Sequence, residues 1–244
     1  ALYGQAFSEG SVLCNESGLY LGGSISPFRG VTLNSYIDLV HHPWMRFGVE
    51  GPSNTIDCYL LGSWRINRRS TLDLRYKYKR KEKNISLPEE DAKPQLPYTT
   101  QKVRLRWSQS LQAGWEFRTT ADIAIYKEKP YPAEKWIMLS QNISYRGSGP
   151  LTGDAFVAIF DAESYDARLY SYERNLLSTF YMPSFYGKGV RVALSGKYSF
   201  SPALTLSLKA SHTRYRDRDT IGSGTEQISG NSRSDLWCYL QWKF

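Results

Sequence analysis

Few side chains in this 244-residue chain have the type and spacing to do covalent chemistry. Ser211-His212-Thr213, with Asp217 and Asp219 just beyond, supplies a hydroxyl, an imidazole and carboxylates in one short stretch. Such a set supports acyl transfer only where serine and histidine meet. In an extended strand, adjacent side chains point to opposite faces, so Ser211 and His212 cannot pair with each other. His41-His42, read as part of a long loop, has no Cys or carboxylate cluster beside it and so forms no metal-ligand set. Cys14, Cys58 and Cys238 are odd in number and have the spacing of neither a disulfide framework nor a zinc site. The expectation is therefore no catalytic residue, no metal and no cofactor.

The charged residues are more informative. Lys and Arg number 31 against 23 Asp and Glu, a net charge of +8. The cations fall at every second position, as in Arg75-x-Lys77-x-Lys79 and Lys102-x-Arg104-x-Arg106, and recur at Arg118, Arg191, Lys197 and Lys209. Spread segment by segment, they do not form the clustered patch that binds nucleic acid. Asp38, Asp57, Asp73, Glu116, Asp122 and Asp154 share the same parity. Two readings follow: the acids pair with the cations and brace a wall, or the cations line an interior that favours anionic solutes.

A period of two requires strands to position these groups. At the end of the chain, Leu236, Cys238, Leu240, Trp242 and Phe244 lie on one face, and Asp235, Trp237, Tyr239, Gln241 and Lys243 on the other. Leu204, Leu206, Leu208 and Ala210 oppose Thr205, Ser207, Lys209 and Ser211 in the same way. The pattern repeats over 30–40, 55–66, 70–80, 101–109, 113–127 and 189–200. No stretch approaches the roughly 20 apolar residues of a membrane-spanning helix, which leaves barrel strands open because these need only alternate. Connections fall into two classes. Short ones contain Ser26-Pro27, Asn67-Arg68-Arg69, 109–113, 147–150 and Ser201-Pro202, and long polar ones cover 41–54, 81–100 and 216–233. Short turns at one rim and long loops at the other mark an outer-membrane barrel. Abundant Tyr (18), Trp (7) and Phe (10) suit its interfacial girdles.

The expected fold is all-β: a single domain over 1–244 forming an antiparallel transmembrane β-barrel of about fourteen strands. That count includes a weak first strand within 2–14. It also divides 163–182 into strands at 165–173 and 175–182 with a turn at Glu173-Arg174-Asn175. The alternative for this stretch is an irregular or inserted segment. The apolar faces meet lipid, because Arg or Lys there would cost roughly 2–4 kcal/mol near the midplane. Arg75, Lys77, Lys102, Arg104, Arg106, Arg118, Arg191, Lys197 and Lys209 are then the lumen-facing basic residues. Leu240, Trp242 and Phe244 form the assembly signal. No signal peptide is visible at Ala1, so the expectation is a processed chain or the C-terminal part of a longer one.

The runs Ser164-Tyr165-Asp166-Ala167-Arg168-Leu169-Tyr170-Ser171-Tyr172-Glu173 and Pro183-Ser184-Phe185-Tyr186-Gly187-Lys188-Gly189 resemble a family of Bacteroidota outer-membrane β-barrels. So does Asp219-Thr220-Ile221-Gly222-Ser223-Gly224-Thr225-Glu226-Gln227-Ile228-Ser229-Gly230-Asn231, with Asn15-Glu16-Ser17-Gly18-Leu19-Tyr20 and Pro43-Trp44-Met45-Arg46 extending the likeness. Members of that family are usually larger proteins whose N-terminal part carries a helix-hairpin-helix motif. None is present here, so no DNA-related role is carried over, and the resemblance implies the C-terminal portion of a longer barrel. The resemblance implies the outer membrane of a Gram-negative bacterium and, as partners, its lipid and lipopolysaccharide. It also implies the barrel-assembly machinery, acting through the last strand, and other envelope proteins. The functional expectation is a non-enzymatic channel or uptake pore. Its alternatives are a structural subunit of an assembly or secretion complex with a plugged lumen, and a lipid-modifying or proteolytic barrel using His212, Asp217 and Asp219.

Overall fold

A computed structural model describes residues 15–86, 93–162, 169–177 and 183–243. The alternating segments form long strands: β1 (Ser17–Phe28), β2 (Val31–His42), β3 (Ser53–Asn67), β4 (Ser70–Asn84), β5 (Gln95–Ser110), β6 (Trp115–Glu128), β7 (Glu134–Arg146) and β8 (Leu151–Ala162). Two short strands follow, β9 (Leu169–Tyr170) and β10 (Ser184–Phe185). Then come β11 (Gly187–Ser199), β12 (Leu204–Tyr215), the short β13 (Thr220–Ile221) and β14 (Ile228–Ser229), and β15 (Ser232–Trp242). The eleven long strands form one antiparallel sheet in chain order, and the four short ones make two separate two-stranded pairs. By contact the chain divides into two compact units, one of residues 1–63, 74–103 and 124–134, the other of 64–73, 104–123 and 135–244.

Several boundaries differ from the sequence reading. The first turn is Arg29–Gly30 rather than Ser26-Pro27: β1 continues past the proline with a register shift between Ile25 and Phe28, and Gly30 supplies the positive φ of 83°. His41 and His42 end β2 instead of lying in a loop. The loop read as 81–100 shrinks to 85–94, because β4 runs on to Asn84 and β5 starts at Gln95. The first extension is polar on both faces and the second carries Pro97, which argues against a strand, so alternation does not reveal them. Backbone hydrogen bonds form regardless, as from Ile85 N–H to Pro94 O at 3.1 Å. The loop 216–233 holds the β13–β14 hairpin, with Thr220 opposite Ser229. The expected strand within 2–14, Phe244, and parts of the two strands expected across 163–182 lie outside the described residues. Between the masked stretches, Ser171–Leu177 is not strand, so the irregular alternative holds there.

Burial runs opposite to that of a water-soluble domain. In the second unit Leu194 and Leu240 are 58% and 63% exposed, whereas Arg191 and Lys209 are 4% and 2% exposed. In the first unit Leu19, Leu21 and Ile25 are exposed while Asp57 is buried. In water each such leucine would forgo about 1.5–3 kcal/mol of burial. Against hydrocarbon it forgoes nothing, and the charges must face away from lipid. Trp64, Trp107, Trp115, Tyr198 and Trp242 are exposed on the strands near the short connections, where an interfacial girdle places amphipathic rings.

Candidate functional site

Residues 169–177 and 183–186 lie against the charged face of the second unit. The β9–β10 pair sets Phe185 against Phe160 and Phe156, with ring centroids 5.1 and 6.3 Å apart. Two glycines permit this close approach. A Cβ on Gly189 would lie 2.6 Å from the Arg214 carbonyl and 2.8 Å from the Phe160 ring, and Gly187 has a φ of +77°.

Beyond this aromatic anchor, Ser171–Leu177 runs over the polar face of the sheet and carries Glu173 to a position 1% exposed. Arg191 on β11 donates to Glu173 from Nε and Nη2, both at 2.7 Å, and Lys209 Nζ on β12 donates at 2.7 Å. The rest of the cluster is satisfied too. Arg191 also bonds Thr213 Oγ1 at 2.7 Å and Ser211 Oγ at 3.1 Å. Lys209 reaches Asn175 Oδ1 and lies 5.5 Å from the Trp237 ring centroid. Strand register explains the convergence: Arg191 pairs with Thr213, Ala193 with Ser211 and Ser195 with Lys209, so all six stand on one face. A third cation grips the segment from β5, where Arg104 donates to Asp122 at 2.5 Å and to the Tyr170 carbonyl at 3.2 Å.

The other expected basic residues are mostly engaged as well. Lys77 lies 3.2 Å from Asp57. Lys79 lies 3.3 Å from the same carboxylate, which also accepts from Tyr36 at 3.2 Å. Arg118 pairs with Glu116 at 2.7 Å. Arg75, Lys102 and Arg106 are half-buried and have partners of their own. Lys197 has no ion-pair partner among the described residues. Leu240 and Trp242 stand on the opposite, apolar face, exposed.

Among the described residues, no hydrogen bond joins His212 to Asp217 or Asp219. His212 Nδ1 lies 2.8 Å from Ser234 Oγ across the β12–β15 pair, a contact that chain order alone conceals. Among the described residues no carboxylate is hydrogen-bonded to His212. Asp217 is bound by Arg218 at 2.9 Å, whose guanidinium lies between the Tyr186 and Tyr215 rings, 4.7 and 4.5 Å from their centroids. Partial burial pushes the Asp217 carboxyl up, but hydrogen bonds from Arg218 and the Lys188 backbone outweigh it and hold the group below the usual carboxylate range. The same hydrogen bond raises Arg218 against its own partial burial. His41 and His42 face apart. His41 bonds Asn54 at 2.9 Å, while buried His42 lies 3.2 Å from Arg46 and 3.8 Å from Glu16. Among the described residues no group of three His, Cys, Asp or Glu could hold a metal ion.

Sequence reasoning missed Glu173 as the centre of the cluster. The signal pointing to it was that 163–182 had to be divided at Glu173-Arg174-Asn175 or else read as an irregular segment.

No protein-family model matches the chain, and no curated protein matches it. Among solved structures it is similar to the anion-selective porin from Comamonas acidovorans, with a TM-score of 0.55 and 11% identity, covering 92% of this chain and 59% of the porin. The fold is that of an antiparallel transmembrane β-barrel. The chain thus spans about three-fifths of the length of that porin. LpxR from Salmonella typhimurium matches over 100% of this chain and 93% of its own, at 11% identity and a TM-score of 0.34. That score is too low for the match to bear on fold or function.

Proposed function

We propose that the protein is a non-enzymatic channel or uptake pore of the Gram-negative outer membrane, with a basic-lined lumen narrowed by 169–177. The observation carrying this reading is the partition of the strands. Leucines stand exposed on one face, while Arg104, Arg191 and Lys209 stand sheltered on the other, on a porin-like fold. Lipopolysaccharide and lipid contact the apolar face. The barrel-assembly machinery reads the last strand through Leu240, Trp242 and Phe244. No nucleic acid is a partner. The Bacteroidota barrel family is the relationship this reading favours, on the runs 183–189 and 219–231.

Planar-bilayer recording of the purified chain tests the proposal. Discrete conductance with anion preference is expected, and replacing Arg104 and Arg106 by Gln should reduce that preference. A silent protein, or one indifferent to both substitutions, would overturn the basic-lumen reading.

One observation favours a second reading, a structural subunit of an envelope assembly with a plugged lumen. The Glu173 cluster is dry and fully bonded, which suits a permanent plug better than a mobile constriction. Stable co-purification with another envelope protein, together with absent conductance, would select it.

A further inference from the structure

Beneath the inserted segment, between its residues Arg174–Leu177 and the polar face of β7, β8, β11, β12 and β15, lies a cavity of about 390 Å³. Three cations and one acid line it: Arg146, Arg174, Lys197 and Asp154. These are not equivalent. Arg146 donates twice to Asp154, at 2.6 and 2.7 Å, and also to the Tyr145 and Gly153 carbonyls at 2.7 and 2.9 Å. Asp154 accepts in addition from Ser144 Oγ at 2.7 Å. The one carboxylate is therefore spent on the one arginine, and both are fixed in the wall.

Two positive charges remain without close neutralisation. Arg174 approaches Asp154 no nearer than 3.8 Å, with its side chain 54% exposed, and Lys197 has no ion-pair partner among the described residues. Strand register places Lys197 opposite both Thr152 and Ser207, and Ser207 opposite Tyr239, and these three hydroxyl-bearing residues line the same cavity. The volume lies within the range of small-molecule sites, roughly 300–1,000 Å³, where a few placed polar groups decide what binds. Charge-assisted bonds to a carboxylate or phosphate are the strongest such contacts available to Arg and Lys. The neighbouring hydroxyls can donate to and accept from ligand hydroxyls.

We propose that this cavity binds a small hydroxylated organic anion, a sugar phosphate or a sugar acid, between Arg174 and Lys197. The assignment deepens the channel reading and rests on it for its biological meaning: the site would hold a solute on its way past the segment. Geometry explains why the segment matters, since Arg174 follows Glu173 directly and the ion cluster that fixes Glu173 thereby fixes one half of the anion site.

Isothermal titration of the full chain in detergent tests the site, with glucose 6-phosphate and gluconate as probes and glucose as the neutral control. Saturable binding of either anion and none of glucose is expected. Arg174→Gln and Lys197→Gln should each weaken binding about ten-fold, the loss of one charge-assisted contact. Arg118→Gln, whose charge lies outside the cavity, should leave it unchanged. Glucose binding as tightly as the anions, no saturable binding of either anion by folded protein, or unaltered affinity in both cavity variants would overturn the site. Inorganic phosphate binding as tightly as glucose 6-phosphate would remove the role of the hydroxyl wall. Titration needs no ion flow, so the two proposals fail separately. A chain that binds without conducting loses the channel reading and keeps the site, and one that conducts without binding loses the site alone.

Discussion

Each unit holds a carboxylate between two cations, and the two clusters differ chiefly in access to water. Around Asp57, the Lys77 and Lys79 side chains remain 37% and 29% exposed. Around Glu173, the Arg191 and Lys209 side chains are 4% and 3% exposed, because the segment that carries the acid also covers the site. The chemistry is nearly the same and the energetics are not. A solvated pair is screened and worth about 0–1 kcal/mol. In a dry cluster, losing one partner strands a buried charge, at about 3–5 kcal/mol. The first cluster braces a wall. The second ties an element in place, because its acid comes from an irregular segment rather than from the sheet, adding to the hold of Phe185 and of Arg104 on Tyr170.

The largest expected effect breaks the dry cluster. Glu173→Gln should cost about 3–5 kcal/mol locally, leaving Arg191 and Lys209 facing no charge. Hydrogen exchange over 169–177 reads this directly. The comparison fails if that variant exchanges like the parent. Replacing all three charges together, Glu173→Leu with Arg191→Met and Lys209→Met, should recover much of the loss, since no charge is left unpaired.

Next in size is a test that both clusters stand on the side of the sheet away from lipid. Leu194→Arg, one position from inward-facing Ala193, should destabilise by about 2–4 kcal/mol if position 194 lies near the midplane. Heat-modifiability on gels would report it. Tolerance of the arginine would mean the apolar face does not meet hydrocarbon.

Lys77→Met removes one of two cations from the wetter cluster and should cost no more than about 1 kcal/mol in denaturation. A loss as large as that of Glu173→Gln would erase the distinction.

The smallest effect belongs to Asp217, in the connection after β12. Its folded-state pKa is depressed, so its stabilisation is full above the unfolded value, about 3.9, and is lost as pH falls through the lower folded value. Exchange at 216–219 should therefore rise only below about pH 4, and Asp217→Asn should abolish that pH dependence.

The lipid-facing partition was legible in the sequence because side-chain direction in a strand depends on parity alone. Leu236, Cys238, Leu240 and Trp242 are exposed and Lys209 and Arg191 buried, as alternation requires. Strand ends were less legible. Lys81–Asn84 is polar on both faces, and Gln95–Thr100 carries Pro97, which argues against a strand, so neither shows a clean alternation where the backbone still pairs.

By itself the sequence determined which face of each strand carries charge and which must meet lipid, a local consequence of the two-residue period. Only the tertiary structure decided what those charges do. Arg104, Arg191 and Lys209 come from three separate strands, and their shared target is an irregular segment whose path no periodicity encodes. Its position follows from contacts distant in the chain: Phe185 on Phe160, Glu173 on Arg191 and Lys209, and Tyr170 on Arg104.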